Sequence, residues 1–168
     1  MKLQPLPKDL QIYQAAKQFS IGAGVIHKHT RIPDTTMFAI QPFVTCATFS
    51  LELYLKCILA IEGQTEVKGH KVAKLFEKIS IGSKNGVLFF VRGAYANLEL
   101  PLTFIEEHIR AMDNAFVDWR YLHEVKTASL DLQFLSRIVW ACQEHIKNLR
   151  PEWWANKTLN PDAPNEGV

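Results

Sequence analysis

The most constraining feature of this sequence is the stretch from Phe43 to Glu62, in which almost every side chain is apolar. The exceptions form a single polar stripe at helical spacing, namely Thr45, Thr48, Glu52 and Lys56. An α-helix that is apolar on nearly all sides is normally buried among other elements of a core. Gly63 follows at a position where helices commonly end. The stretch is therefore predicted to be a central helix.

Four other segments show apolar side chains at helical spacing and are predicted to surround this helix. They cover residues 8–28, 69–79, 101–123 and 129–149, and in the third segment a buried stripe is expected from Leu102 through Trp119, continued by His123. Pro7 and Pro101 are helix-start signals, Ser129 is a candidate cap, and Pro151 stops the last helix. Pro42 either kinks the central helix or starts it. Residues 83–97 are ambiguous, because Gly86, Gly93 and the run VLFFV leave both a helix and a strand open.

Length and composition limit the organisation of the chain. It has 168 residues, of which 48% are hydrophobic, so one core can bury roughly 70% of the unfolded surface. We predict a single all-α domain over residues 1–155, an up-and-down bundle of four to five helices. Residues 156–168, NKTLNPDAPNEGV, are polar and rich in proline, which predicts a disordered tail.

Cysteine usage and hydropathy indicate the compartment. Cys46, Cys57 and Cys142 are odd in number and lack CxxC spacing, so we expect buried free thiols in a reducing environment. The N-terminus has no apolar signal core, and no stretch approaches the roughly 20 uninterrupted apolar residues of a membrane span. A cytoplasmic protein without membrane contact is predicted. The net charge of +2 does not by itself indicate a nucleic-acid binder.

Glu52 and Lys56 are the first candidate site residues, because they lie one turn apart on the polar stripe of the central helix. One interpretation is an ordinary helix-stabilising pair. The other is a polar lining of a cleft between helices, in which charged groups bind substrate and need partners. We also expect Glu52 to face Arg120 across the bundle.

A second candidate site is the segment DWRYLHE, residues 118–124. Arg120 and His123 are three residues apart and share a helix face, so Arg120 could hold a phosphate while His123 moves a proton in catalysis. Asp118 and Tyr121 would help to bind substrate. In the alternative, Arg120 pairs with Glu124 and His123 packs on Trp119.

Other chemistries have little support in the sequence. His27 and His29 lack a third ligand at metal-binding spacing, so no metal and no other cofactor is predicted. His70 is expected to pack or hydrogen-bond at a turn, and His108 and His145 receive no role. An excess of basic residues near the N-terminus is either a solvated face or a phosphate contact; these residues are Lys2, Lys8, Lys17, Lys28 and Arg31. Hydrolase, P-loop and zincin motifs are missing.

Three blocks between Thr48 and Glu124 resemble the HEPN family of helical-bundle proteins, which occur in bacterial defence, toxin–antitoxin systems and RNA processing. They are SLELYLKCILAIEG, GHKVAKLFEKI and NAFVDWRYLHE, in the expected order. The resemblance implies a bundle of four or five helices that usually dimerises. RNA-cleaving members carry an Arg, four to six residues, and then a His. Here the spacing from Arg120 to His123 is too short, and that from Arg137 to His145 is too long.

Two hypotheses of function follow, and enzymatic activity stays open in both. In the first, the protein interacts with RNA, as a divergent or inactive ribonuclease of a defence or toxin–antitoxin type system. In the second, it is a non-catalytic module whose surface binds a protein, either a cognate antitoxin-like partner or a second copy of itself. A homodimer is expected because the central helix has too little polar surface to coat an exposed side.

Overall fold

The computed structural model describes residues 6–30, 36–64, 66–95, 100–113, 115, 119 and 130–155. In this part of the chain there are seven helices and no strands, which confirms the all-α prediction. They are α1 (Lys8–Thr30), α2 (Thr36–Ile61), α3 (Val72–Lys78), α4 (Ile81–Ala94), α5 (Leu102–Ala111), α6 (Leu132–Leu149) and α7 (Glu152–Ala155). Four to five helices were expected, and five of those described have ten or more residues.

Helix α2 lies at the centre of the core, as its apolar sequence predicts. It packs against α1, α3 and α6, and its residues Leu51, Tyr54 and Ile58 are fully buried. The predicted end is confirmed by Gly63, whose φ of 87° follows the last turn. Pro42 lies inside the helix and does not start it, because α2 begins at Thr36.

The same helix meets the length and composition of a membrane span. Ile40–Ile61 has 22 residues and a mean hydropathy of 1.6, a match that the sequence analysis did not anticipate. The core helix of a helical bundle passes the same test, and 61% of this apolar window is buried inside the protein.

Helices α3 and α4 follow one another almost without a connection. The predicted buried face of α3 is confirmed by Val72, Leu75 and Phe76, which are all buried. The ambiguous segment is helical rather than a strand as far as Ala94, and its residues 96–97 lie outside the described residues. Ser80 caps α4 by accepting a hydrogen bond from the backbone nitrogen of Ser83 at 3.2 Å. Gly86 lies against His145 of α6, where the lack of a side chain allows the two helices to pack closely.

Two expectations about the later helices are corrected. The helix that Pro101 opens ends at Ala111 instead of continuing to Trp119, and Leu102 is largely exposed rather than part of the buried stripe. Helix α6 is capped by Asp131, which accepts hydrogen bonds from the backbone of Gln133 and Phe134, both at 2.9 Å. The predicted cap Ser129 and the tail, residues 156–168, lie outside the described residues.

The short helix α7 closes the core against α1. Trp153 is buried, and its ring lies 5.6 Å from the ring of Tyr13. Arg150, the residue after α6, adds an ion pair, because its Nη2 lies 3.2 Å from Asp9 Oδ2. The first and last helices described are thus in direct contact.

Candidate functional site

Glu52 is a charged residue inside an apolar core, since only 3% of its surface is exposed. Its Oε1 accepts a hydrogen bond from Lys56 Nζ at 2.7 Å and a second from His70 Nδ1 at 3.0 Å. A buried carboxylate needs such partners, because without them its desolvation is costly. The carboxylate therefore joins two turns of α2 to the loop that precedes α3.

The position of His70 depends on the backbone of this loop. Gly69, the residue before it, has a φ of +105°, a backbone conformation that residues other than glycine rarely adopt. The chain turns there, and the imidazole ring reaches back to α2 while 84% of its side chain stays exposed. Since a carboxylate only accepts hydrogen bonds, Nδ1 carries the proton in this contact. The second ring nitrogen, Nε2, is then available on the exposed side.

Helix α3 is fixed next to this contact by a side chain from another helix. Lys71, at the position before α3, makes no capping hydrogen bond. Asp113, which follows α5, supplies one instead, because its Oδ1 accepts a hydrogen bond from the backbone nitrogen of Ala73 at 2.7 Å. The carboxylate satisfies one free N–H of the first turn and anchors α3 to α5.

A cavity of about 200 Å³ opens beside His70. We call it the lysine cleft, and it is lined by Lys68, Gly69, His70, Lys71, Lys74, Leu75 and Lys78. Positions 66–84 contain five lysines and only two glutamates, so the local excess is three positive charges. The lysines of α3 recur on its exposed side, while its apolar side packs into the core. Such a concentration of ammonium groups attracts anions.

The arrangement combines two chemical capacities. The lysine cleft offers several hydrogen-bond donors with positive charge, which suits the non-bridging oxygens of phosphate. His70, oriented by Glu52, offers a ring nitrogen that can exchange a proton close to those donors. Lys56 supports the carboxylate from inside α2 rather than entering the cleft.

The structure brings together Glu52 and Lys56 among the predicted site residues, at the i,i+4 spacing read from the sequence. The other four candidates, Asp118, Arg120, Tyr121 and His123, lie outside the described residues, and so does the expected contact between Glu52 and Arg120. Glu124 lies outside them as well, and Trp119 packs partly buried against the core.

His70 is the site residue that sequence reasoning missed. It was predicted to hydrogen-bond at a turn, which its contact with Glu52 confirms, but no functional role was given to it. The signal was present in the segment KGHKVAKLFEK. A glycine that permits a sharp turn precedes a histidine, and lysines recur every three or four residues along the helix that follows.

Other reactive groups in the described part of the chain are less suited to chemistry. Burial raises the pKa of the Cys57 and Cys142 thiols well above the ordinary value, so they stay protonated and unreactive. Among these residues no three His, Cys, Asp or Glu side chains are grouped as metal ligands. His145 was given no role from the sequence, yet it is buried, and burial lowers the pKa of its imidazole.

No protein-family model matches the chain, and neither does any curated protein or any solved structure.

Proposed function

We propose that this protein binds RNA through the phosphate backbone at the lysine cleft, as a cytoplasmic HEPN-like protein of a defence or toxin–antitoxin type system. The observation that carries the proposal is the lysine cleft beside the contact between Glu52 and His70. The three sequence blocks that resemble HEPN proteins add support, since two of them cover the second half of α2 and all of α3, the helices that hold this site.

The cleft suits a polyanion better than a single small anion. Lys71, Lys74 and Lys78 are exposed along α3 over two helical turns, so their ammonium groups can contact successive phosphates. Lys68 Nζ lies 3.7 Å from Glu66 Oε2, but both side chains are largely exposed, so solvent weakens this ion pair. The lysines thus remain available for phosphate oxygens.

Salt-dependent binding tests the proposal. The affinity for a labelled single-stranded oligoribonucleotide, measured by fluorescence anisotropy, is expected to fall with salt because bound phosphates release counterions. Replacing Lys74 by Ala should weaken binding and reduce the slope by about 0.7 for the lost contact. Lys147→Ala removes the same charge from α6, where Glu144 pairs with it at 2.6 Å, and should leave binding unchanged. Equal effects of both variants would refute a site at the cleft.

In the catalytic form of the proposal, His70 acts as the general base of RNA cleavage. Nε2 takes the proton of a ribose 2′-OH, and the 2′-oxygen attacks the adjacent phosphorus while the bond from phosphorus to the 5′-oxygen breaks. The 5′-oxygen takes a proton from water, and His70 returns its proton to solvent. The products are a 2′,3′-cyclic phosphate and a 5′-hydroxyl, and the lysines stabilise charge on the phosphoryl oxygens.

Product analysis separates the two forms. If the protein is a nuclease, it should leave 2′,3′-cyclic phosphate ends in the presence of EDTA, and His70→Gln should abolish cleavage while binding persists. If purified protein binds RNA but leaves it intact, the protein is an RNA binder without catalysis. Cleavage that survives in His70→Gln would assign the chemistry to other residues, among which Arg120 and His123 are the first candidates.

The alternative function, a protein-interaction module, has its own observation. Ile21 and Val25 are 55% and 52% exposed and lie one turn apart on α1, which gives a small apolar surface. A second copy or an antitoxin-like protein would cover it. Light scattering tests the homodimer: Ile21→Glu should convert a dimer to a monomer, and a parent protein that is monomeric at micromolar concentration would contradict self-association.

A further inference from the structure

Helix α4 carries an exposed stripe of large side chains that the lysine cleft does not use. Ile81, Asn85, Phe89 and Arg92 recur at helical spacing along this stripe, and all four are exposed. The ring of Phe89 is 73% exposed, which is unusual for so large an apolar group. An exposed aromatic ring on a helix surface presents a flat face on which a binding partner can pack.

The exposed ring belongs to a short row of aromatic contacts. Phe90, which is half-buried, lies between two neighbours, with its ring centroid 5.4 Å from that of Phe89 and 5.8 Å from that of Trp140 on α6. Both contacts are edge-on, at 78° and 84°. Trp140 is itself 44% exposed. Packing of Phe90 thus holds two exposed rings on one surface, which we call the aromatic row: Phe89, Phe90 and Trp140.

The helix that carries Phe89 and Phe90 is basic. Helix α4 contains Lys84 and Arg92 but no acidic residue. Lys84 Nζ donates a hydrogen bond to the backbone oxygen of Glu77 at 2.7 Å, so the first turn of α4 lies against the end of α3. Lys84 therefore lies next to the last turn of α3, where Lys78 lines the lysine cleft.

We infer that the aromatic row stacks unpaired nucleobases of the RNA strand whose phosphates occupy the lysine cleft, so that the ligand is single-stranded RNA. This inference rests on the proposed function and specifies its substrate class. Proteins that bind single strands combine a basic groove with exposed aromatic rings, because every base has a face on which such rings stack. A duplex keeps its bases paired and hides those faces.

Charge decides against a second copy of the chain on this surface. A symmetric contact centred on this stripe would bring Arg92 of each copy near Lys84 of the other, with no carboxylate on α4 to compensate. A nucleic acid supplies both missing features, namely negative charge for the basic groups and flat faces for the rings.

Two probes separate this inference from the proposed function. One is a fluorescent dodecamer of uridylate, and the other is labelled inorganic polyphosphate of similar charge, which has no bases. Phe89→Ala and Phe89→Leu should each weaken binding of the oligonucleotide about tenfold. Phe89→Trp should retain it, because the larger ring still stacks. Polyphosphate should bind all these variants equally, whereas Lys74→Ala should weaken both probes.

The outcomes are distinguishable. If neither probe binds the parent protein, the proposed function and this inference both fail. If both probes bind but Phe89→Leu holds the oligonucleotide as tightly as the parent, only the stacking inference fails. If light scattering shows that Phe89→Ala dissociates a dimer while the affinity for RNA is unchanged, the surface serves self-association and the inference is overturned. Leu102→Ala, an exposed apolar residue on α5, serves as the control and should change neither probe.

Discussion

The contact of Glu52 with Lys56 and His70 predicts an unequal response to mutation of its members. The carboxylate is almost fully buried, whereas the Lys56 side chain is 16% exposed and that of His70 is 84% exposed. Solvent can therefore reach both partners more easily than it reaches the acid. The loss of unfolding free energy on breaking the contact should depend on which group is left without hydrogen bonds in the core.

Lys56→Met is expected to be the most damaging single change. It leaves the Glu52 carboxylate in the core with His70 as its one described partner, and an uncompensated buried charge costs about 3–5 kcal/mol. Glu52→Gln removes the charge and keeps the shape of the side chain, and Lys56 can extend to water. The free energy of unfolding should therefore fall by about 1–2 kcal/mol. His70→Ala deletes a contact of an exposed side chain and should cost at most about 1 kcal/mol.

Urea denaturation monitored by circular dichroism measures these differences in unfolding free energy. The comparison requires that the dependence of this free energy on urea concentration is the same for all variants. The double variant Glu52→Leu with Lys56→Met removes both charges and should lie within about 1 kcal/mol of the parent. If Lys56→Met costs less than Glu52→Gln, or if the double variant loses as much stability as Lys56→Met alone, the carboxylate does not depend on the lysine and the reasoning is refuted.

Three further predictions concern the packing around α4, α6 and α7. In Gly86→Ala the new Cβ would overlap the ring of His145, so about 1–3 kcal/mol should be lost in denaturant, whereas Gly93→Ala on the same helix meets open space and should stabilise; equal effects would contradict the close approach. Burial lowers the pKa of His145 below its ordinary value of 6.5, so the unfolded chain binds a proton that the folded chain resists. Stability should accordingly fall as the pH drops below about 6.5, and His145→Leu should reduce this slope in a pH series of melting curves. A chain that ends at Glu152 loses Trp153, and its melting temperature should be about 10 °C below that of the parent. A chain that ends at Ala155 should have the melting temperature of the parent. Equal melting temperatures of the two truncated chains would exclude docking of the tryptophan.

The sequence predicted those parts of the fold in which apolar periodicity is strong. The face of α3 and the central position of α2 follow from side-chain spacing alone, because a helix must bury its apolar side. Residues 83–97 were ambiguous, since Gly86 and Gly93 lower helix propensity. The tertiary structure resolves this ambiguity, because Gly86 lets α4 approach His145 on α6. Neither helix propensity nor side-chain spacing in the sequence predicts that contact.

The candidate site was predicted only within one helix. The pair of Glu52 and Lys56 follows from i,i+4 geometry, which the sequence contains. The contact from His70 crosses 18 residues and depends on the backbone conformation of Gly69, so it could not be derived from spacing. For the same reason Asp113, whose carboxylate caps α3 from 40 residues away, gave no sequence signal.

The contact between the two ends of the fold also sets when folding can finish. Asp9 and Arg150 are 141 residues apart, yet they form an ion pair, and Tyr13 lies against Trp153. During synthesis the first helix can pack on α2 as soon as that helix has emerged, but its contacts with Arg150 and Trp153 form only after residue 153 has left the exit tunnel. Closing so long a loop is entropically slow. We expect the nascent chain to reach its full stability only when translation is nearly complete, and a circular permutant that joins the two ends to form this contact earlier in folding.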